Sequence, residues 1–142
     1  MKRILAIDYG SKRIGLALSD ALGLTAQGLP TLMHPGSEEK LLEAIESTVR
    51  RYEASTVVLG LPLNMNGTKG PQALRVEALA EALRKRLSVS VDCWDERLTT
   101  ASVERHFREW KLSPVKRKKL ADRLSAQLIL QDYLDAQKGK ES

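Results

Sequence analysis

Alternating hydrophobic and polar positions in the first part of the chain predict three β-strands. The segments 4–9, 14–19 and 27–34 place successive side chains on opposite faces, which is the period of a strand. The Gly-Ser-Lys turn at 10–12 is too short for a crossover, so the first two strands are expected to form an antiparallel hairpin. Pro30 lacks an amide hydrogen and therefore makes the third segment an edge strand or an irregular one.

Helical spacing alternates with short apolar runs over the rest of the chain. Apolar residues recur every three or four positions where helices are expected, and continuous or alternating apolar runs indicate two further strands. The expected helices cover about 37–52, 71–87, Thr99 or Thr100 to Trp110, and Val115 or Lys116 to Ala136, and the expected strands cover 55–63 and 88–94.

This element order, β-β-β-α-β-α-β-α-α, predicts an α/β fold. Strands that follow a helix favour parallel pairing, whereas the first three strands form a meander. The expected result is a five-stranded mixed sheet with helices on both faces. The chain has 142 residues and no linker long enough to divide it, so residues 1–142 are expected to form a single domain.

Composition narrows the class of protein only slightly. The chain carries 23 Lys and Arg against 18 Asp and Glu, a net charge of +5, which weakly favours a polyanionic partner. Its single cysteine, Cys93, excludes an internal disulfide and fits a reducing compartment. No signal peptide is expected, because Asp8 and Gly10 interrupt the first apolar run, and no segment approaches the roughly 18 apolar residues of a membrane span. We therefore expect a cytoplasmic protein with no membrane contact.

Three acidic residues stand where an uncompensated charge would be costly. Asp8 interrupts an apolar strand, Glu96 follows the last predicted strand, and Asp122 lies in a helix that is apolar on most sides. An ionised carboxylate removed from water is strongly destabilising unless a cation compensates it. Sheets with parallel strands bind ligands beyond the carboxyl ends of those strands, where Asp8 and Glu96 are predicted to lie. A divalent cation bound by all three acids would compensate the cost of their negative charges.

Magnesium suits such a site because it prefers oxygen ligands. Three carboxylates and one phosphodiester carry four negative charges, which two Mg²⁺ ions would balance. Two such ions are able to activate a water molecule and to stabilise the leaving oxygen of an in-line displacement. Zinc is disfavoured because Cys93, His34 and His106 have no paired ligand spacing.

Each acid also has an ordinary structural explanation. Salt bridges to neighbouring basic residues would neutralise the three carboxylates one at a time. The candidate pairs are Asp8 with Lys12 or Arg13, Glu96 with Arg97 or Arg105, and Asp122 with Lys118 or Lys119.

Four motifs carry a specific family resemblance. They are "ILAIDYGSKRIGLALSD", "VVLGLPLNMNG", "DERLTT" and "KKLADRLSAQLILQDYL", in this order. Together they resemble the YqgF/RuvX family of Holliday junction resolvases, which is also described as the nuclease that trims the precursor of 16S ribosomal RNA. The resemblance covers nearly the whole chain and implies an RNase H-like fold with strand order 3-2-1-4-5.

The resemblance also implies roles for residues. The three acids named above would be the catalytic metal ligands, with Asp95 in a supporting position and Mg²⁺ or Mn²⁺ as the cofactor. Junction-resolving relatives outside this family often carry a fourth carboxylate on the last helix. This chain has Ser125 and Lys119 in that helix, which leaves open whether it cuts junctions with the same number of metal ions.

Basic residues in three places are candidates for contact with a substrate. Lys12 and Arg13 lie in the turn of the first motif, and Arg97 is expected either to orient a phosphate or to pair with Asp95. The basic run within 111–123 is either a solvated face or a contact with a nucleic-acid backbone. The residues expected to bind substrate are Lys12, Arg13, Arg97, Lys116, Arg117, Lys118 and Lys119.

The loop "NMNGTKG" after the fourth predicted strand has two interpretations. Its glycine and polar content suits a mobile cover over the site, and equally suits a plain connection between a strand and a helix.

The leading hypothesis is a Mg²⁺- or Mn²⁺-dependent nuclease that acts on structured RNA or branched DNA, as a monomer or a homodimer. One alternative is a catalytically silent nucleic-acid-binding factor in transcription or ribosome assembly. A third is an ATPase, since "AIDYGSKRIGLAL" also resembles the first phosphate loop of sugar kinases and actin-like ATPases. Those enzymes close two lobes around ATP, and 142 residues leave room for one.

Overall fold

The computed structural model describes residues 3–97 and 114–141, with side chains described over 3–97 and 124–137. The strands are β1 (Arg3–Asp8), β2 (Arg13–Ser19), β3 (Ala26–Met33), β4 (Ala54–Leu61) and β5 (Ser90–Asp95). The helices within the described ranges are α1 (Glu38–Arg51), α2 (Pro71–Arg86) and α3 (Pro114–Glu141). The helix that was expected to end at Trp110 lies outside the described residues.

The strands form one sheet in the order β3-β2-β1-β4-β5. β2 pairs antiparallel with both β1 and β3, whereas β4 pairs parallel with both β1 and β5. The turn between β1 and β2 is tight, because a Cβ added at Gly10 would collide with the carbonyl oxygen of Arg13. The predicted mixed sheet and its RNase H-like strand order are therefore confirmed. Parallel pairing also brings the last residues of β1, β4 and β5 (Asp8, Leu61 and Asp95) to one side of the sheet, which we call the carboxyl edge.

The first face of the sheet is covered by α1 and α2. The side chain of Ser37 accepts a hydrogen bond from the Lys40 amide at 3.2 Å and so caps the start of α1. Apolar residues at helical spacing then turn one side of each helix toward the sheet. These buried residues are Leu41, Leu42, Ile45 and Val49 in α1, and Val76, Leu79, Ala80 and Leu83 in α2.

The opposite face is covered by α3, which packs against β1, β2 and β3. Ala6 and Ala17 are completely buried there, and their small side chains let the helix approach the sheet closely. α3 continues to Glu141, five residues beyond the predicted end at Ala136. The prediction stopped early because the last residues of the helix are mostly polar and show no hydrophobic period. None of the described helices is long and apolar enough to cross a lipid bilayer.

Candidate functional site

Asp8 and Glu96 lie at the carboxyl edge, on the face that α3 covers. Asp8 is the last residue of β1 and shares a face with Ala6, which packs against that helix. The register between β1 and β4, extended by one residue, places Asp8 beside Gly60. A Cβ added at Gly60 would lie 2.5 Å from Oε2 of Glu96. The carboxylate of Glu96 therefore rests on the backbone of β4, next to the strand end that carries Asp8.

Glu96 is fixed by its backbone and partly removed from water. Its amide donates a hydrogen bond to the carbonyl oxygen of Leu61 at 3.1 Å, which extends the contact between β4 and β5 past the end of β5. Burial raises the pKa of the Glu96 carboxyl, and the nearby negative charge of Asp95 raises it further. A partly desolvated carboxylate of this kind is stabilised by a cation bound to its oxygens. The donor chemistry therefore fits a hard divalent ion such as Mg²⁺ or Mn²⁺.

The course of α3 brings its N-terminal half toward the carboxyl edge. The hydroxyl of Tyr133 donates to Oδ2 of Asp92 at 2.9 Å, within β5, and one turn earlier Ile129 packs over Gly60. At a rise of about 1.5 Å per residue, Asp122 lies roughly 10 Å further along the helix in the same direction. The backbone of α3 at Asp122 therefore runs toward the carboxyl edge, where Asp8 and Glu96 lie.

The complete set of three acids stays a prediction. Among the side chains that the structure describes, no group of three His, Cys, Asp or Glu residues is placed to hold a metal ion. The described side chains include two of the expected ligands, Asp8 and Glu96, whereas the side chain of Asp122 lies outside them.

Arg97 forms an ion pair with Asp95. Its Nε and Nη2 lie 2.9 Å and 2.6 Å from Oδ2 of Asp95, and its amide donates to Oδ1 at 3.0 Å. Hydrogen bonds from Arg97 hold the pKa of the Asp95 carboxyl below its usual range. The remaining nitrogen, Nη1, donates to the carbonyl oxygen of Met65 at 3.2 Å. The structure therefore shows the pairing role that was expected as one alternative for Arg97, and contact with a phosphate stays a prediction.

The other basic candidates are placed at or toward the same edge. Lys12 is exposed in the turn after β1, and its carbonyl oxygen accepts a hydrogen bond from the amide of His34 at 2.9 Å. Arg13 begins β2 and is partly buried. The basic residues 116–119 belong to the N-terminal part of α3, the end that points toward the carboxyl edge. Their contact with a substrate stays a prediction.

Sequence reasoning missed the part that Gly60 plays beneath Glu96. The predicted strand over 55–63 contains Gly60, as β4 does, but the prediction gave this glycine no role at the site. The available signal was a glycine inside a continuous apolar run, since a strand glycine often marks the close approach of another group.

Known proteins that are similar to most of this chain have names that describe nucleases or resolvases. A family model described as RuvX, Holliday junction resolvase, matches residues 2–136. A protein of Clostridium acetobutylicum is 47% identical over 134 residues, covering 94% of this chain and 98% of its own. A protein of Pelotomaculum thermopropionicum is 45% identical over 135 residues, covering 95% of this chain and 88% of its own. Both relatives bear the name "Putative pre-16S rRNA nuclease".

Solved structures show the same fold at low sequence identity. RuvC of T. thermophilus, in complex with a Holliday junction substrate, has a TM-score of 0.60 and 17% identity, covering 98% of this chain and 97% of its own. The Holliday junction resolvase of fowlpox virus has a TM-score of 0.56 and 13% identity, covering 94% of this chain and 99% of its own. At these identities the likeness establishes the shared fold.

Proposed function

This chain belongs to the RuvX family, and on that premise we propose that it is a divalent-metal-dependent nuclease that hydrolyses phosphodiester bonds. Its substrate is the 5′ end of the 16S rRNA precursor, branched DNA of the Holliday junction type, or both. The observation that carries this proposal is the Glu96 carboxylate, which rests on Gly60 at the strand end that bears Asp8.

The residues of the site have distinct tasks in this proposal. Asp8, Glu96 and Asp122 hold the cation, and the close fit between Glu96 and Gly60 fixes the position of one ligand before substrate arrives. When bound, Mg²⁺ or Mn²⁺ supplies activation of water and stabilisation of charge on the phosphate and the leaving oxygen. Ile129 packs over Gly60 and keeps water from the inner side of the carboxylate.

Basic residues supply the attraction for a polyanion. Lys12 and Arg13 at the β1–β2 turn, and the basic run 116–119 of α3, would contact phosphates on either side of the scissile bond. Each phosphate contact on duplex substrate contributes about one unit to the dependence of log affinity on log salt concentration. Binding is therefore expected to weaken steeply as the salt concentration rises.

A cleavage assay with two substrates tests the proposal. End-labelled four-way DNA junctions and 16S rRNA precursor are incubated with Mg²⁺, Mn²⁺ or EDTA. Wild type is compared with Asp8→Asn and Glu96→Gln, and with Asp135→Asn as a matched control at an exposed carboxylate of α3. Loss of a metal ligand is expected to slow cleavage at least about a hundredfold, whereas the control retains wild-type activity. Binding of Mn²⁺ without nucleic acid, followed by electron paramagnetic resonance, is expected to weaken in the first two variants only.

The outcomes separate a nuclease from a silent binding factor. Metal-dependent cutting of one substrate identifies that substrate class. Failure of the wild type to cut either substrate with either metal overturns the proposal. Nucleic-acid binding that persists in EDTA, together with equal function of wild type and Asp8→Asn in cells, would instead identify a catalytically silent factor.

A further inference from the structure

The segment 64–68 between β4 and α2 forms a turn whose shape is fixed by its own hydrogen bonds. The amide of Asn64 donates to the carbonyl of Thr68 at 2.9 Å, and the amide of Gly67 donates to the carbonyl of Asn64 at 2.8 Å. Oδ1 of Asn66 accepts from both the amide and the hydroxyl of Thr68, at 3.1 Å and 2.6 Å. Gly67 has a φ of 85°, a conformation that favours glycine. These contacts favour a turn of fixed shape, which we call the 64–68 turn.

Two side chains hold this turn against the rest of the molecule. Arg97 donates from Nη1 to the carbonyl oxygen of Met65, while Asp95 holds the other side of the same guanidinium. Just beyond the turn, Nζ of Lys69 lies 2.8 Å from Oε2 of Glu77 on α2. Because Arg97 directly follows Glu96 in the chain, its contact fixes the turn next to the proposed metal site.

The side chain that the turn presents is apolar and largely exposed to solvent. Met65 is 88% exposed, and the turn uses only its backbone carbonyl. A single exposed hydrophobic residue is normal on a protein surface and needs no explanation by itself. Here, however, the residue stands on a doubly anchored turn at the carboxyl edge, where the backbone of a bound nucleic acid would run.

We propose that the Asp95–Arg97 pair positions the 64–68 turn so that Met65 packs against an unpaired base of the substrate beside the scissile phosphate. The inference rests on the proposed nuclease function and adds a selectivity for distorted or unpaired sites. The thioether of methionine is flexible and polarizable, so it makes favourable contacts with aromatic rings. Apolar side chains are used in this way where bases are unstacked. A fully paired duplex hides the faces of its bases, whereas both folded RNA and branched DNA expose some of them.

Binding in EDTA separates this contact from catalysis. Two fluorescent duplexes are compared, one fully paired and one with a single unpaired 2-aminopurine, and their affinities are measured by anisotropy. Met65→Ala is expected to bind the unpaired site about five- to tenfold more weakly than wild type, because the burial of one side chain is lost. Its affinity for the paired duplex is expected to stay within about twofold of wild type. Met65→Leu is expected to retain the affinity for the unpaired site, because it keeps an apolar side chain of similar volume. Leu22→Ala, at a residue 79% exposed on the β2–β3 connection, serves as the control and is expected to change neither affinity.

Arg97→Lys tests the positioning part of the inference. Lysine keeps the positive charge but loses the bidentate geometry, so the variant is expected to reproduce the selective loss at the unpaired site with an unchanged salt slope on the paired duplex. Arg97→Gln removes the charge as well, and a salt slope on the paired duplex that falls by about one unit in this variant would show that Arg97 binds a phosphate directly, which would overturn its positioning role.

Three other outcomes overturn the inference. Wild-type affinity of Met65→Ala for the unpaired site overturns it while leaving the nuclease proposal intact. Equal weakening on both duplexes shows a general effect of the substitution. Where Met65→Ala binds normally, lost processing in cell extract would in addition assign Met65 to a protein partner. Wild type that binds neither duplex in EDTA but cuts the four-way junction or the rRNA precursor overturns this inference alone, whereas wild type that cuts neither substrate overturns the nuclease proposal as well.

Discussion

Gly60→Ala is the substitution that most directly probes the geometry of the site. The added methyl would lie 2.5 Å from Oε2 of Glu96 and 2.5 Å from Cδ1 of Ile129. Non-bonded heavy atoms normally approach to about 3.5–4.0 Å, so each neighbour must yield by roughly 1 Å. The backbone of β4 has little freedom to yield, because β1 and β5 flank it on both sides.

The two clashes have different consequences. Overpacking against Ile129 is expected to lower the free energy of unfolding by about 1–3 kcal/mol. Displacing the Glu96 carboxylate by roughly 1 Å is expected to reduce the cleavage rate about a hundredfold, since catalytic groups act only within a narrow range of positions. Urea unfolding measures the first effect, and single-turnover cleavage with saturating Mg²⁺ measures the second.

A double variant separates stability from catalysis. Ile129→Val removes Cδ1, the atom that clashes, and leaves Cγ1, which would lie 3.5 Å from the new methyl. Gly60→Ala combined with Ile129→Val is therefore expected to recover stability while cleavage stays slow. Full recovery of cleavage in the double variant would show that the loss came from α3 and not from Glu96. A folded Gly60→Ala protein with wild-type activity would refute the role given to the Glu96 carboxylate.

Three further predictions concern stability and are checked by urea unfolding across pH. Burial and the hydrogen bond to Asp92 raise the pKa of Tyr133 to about 12. The unfolded chain loses this proton above the ordinary tyrosine pKa of 10.0, whereas the folded protein keeps it up to about pH 12. Stability is therefore expected to fall between pH 10 and 12, and Tyr133→Phe should remove this slope and cost about 1 kcal/mol at pH 7. The lowered pKa of Asp95 makes its pair with Arg97 stabilising above about pH 4. That contribution should disappear as pH falls further, and Asp95→Asn should lack it. Ser37→Ala should cost about 1 kcal/mol through loss of the α1 cap, independently of pH.

Local periodicity predicts most of the strands and helices of the fold, and their predicted order is confirmed over the described residues. A period of two marks β1 and β2, and a period near 3.6 marks α1, because each pattern repeats within a few residues. Asp8 at the end of a strand and Glu96 just past another were likewise visible as acids at the ends of apolar segments. The family resemblance then gave the strand order, which the sheet confirms.

How these strands, helices and acids come together is visible only in the folded sheet. The register between β1 and β4 sets Gly60 beside Asp8, and the fold of the β5 end lays Glu96 over that glycine. Arg97 pairs with Asp95 and holds the turn that exposes Met65, an arrangement that joins segments thirty-two residues apart. Such contacts depend on packing energies summed over the whole sheet, and no short window of sequence contains them. Residue chemistry and local periodicity identify the candidate residues and the elements that carry them. Only the packed sheet determined which of those residues touch.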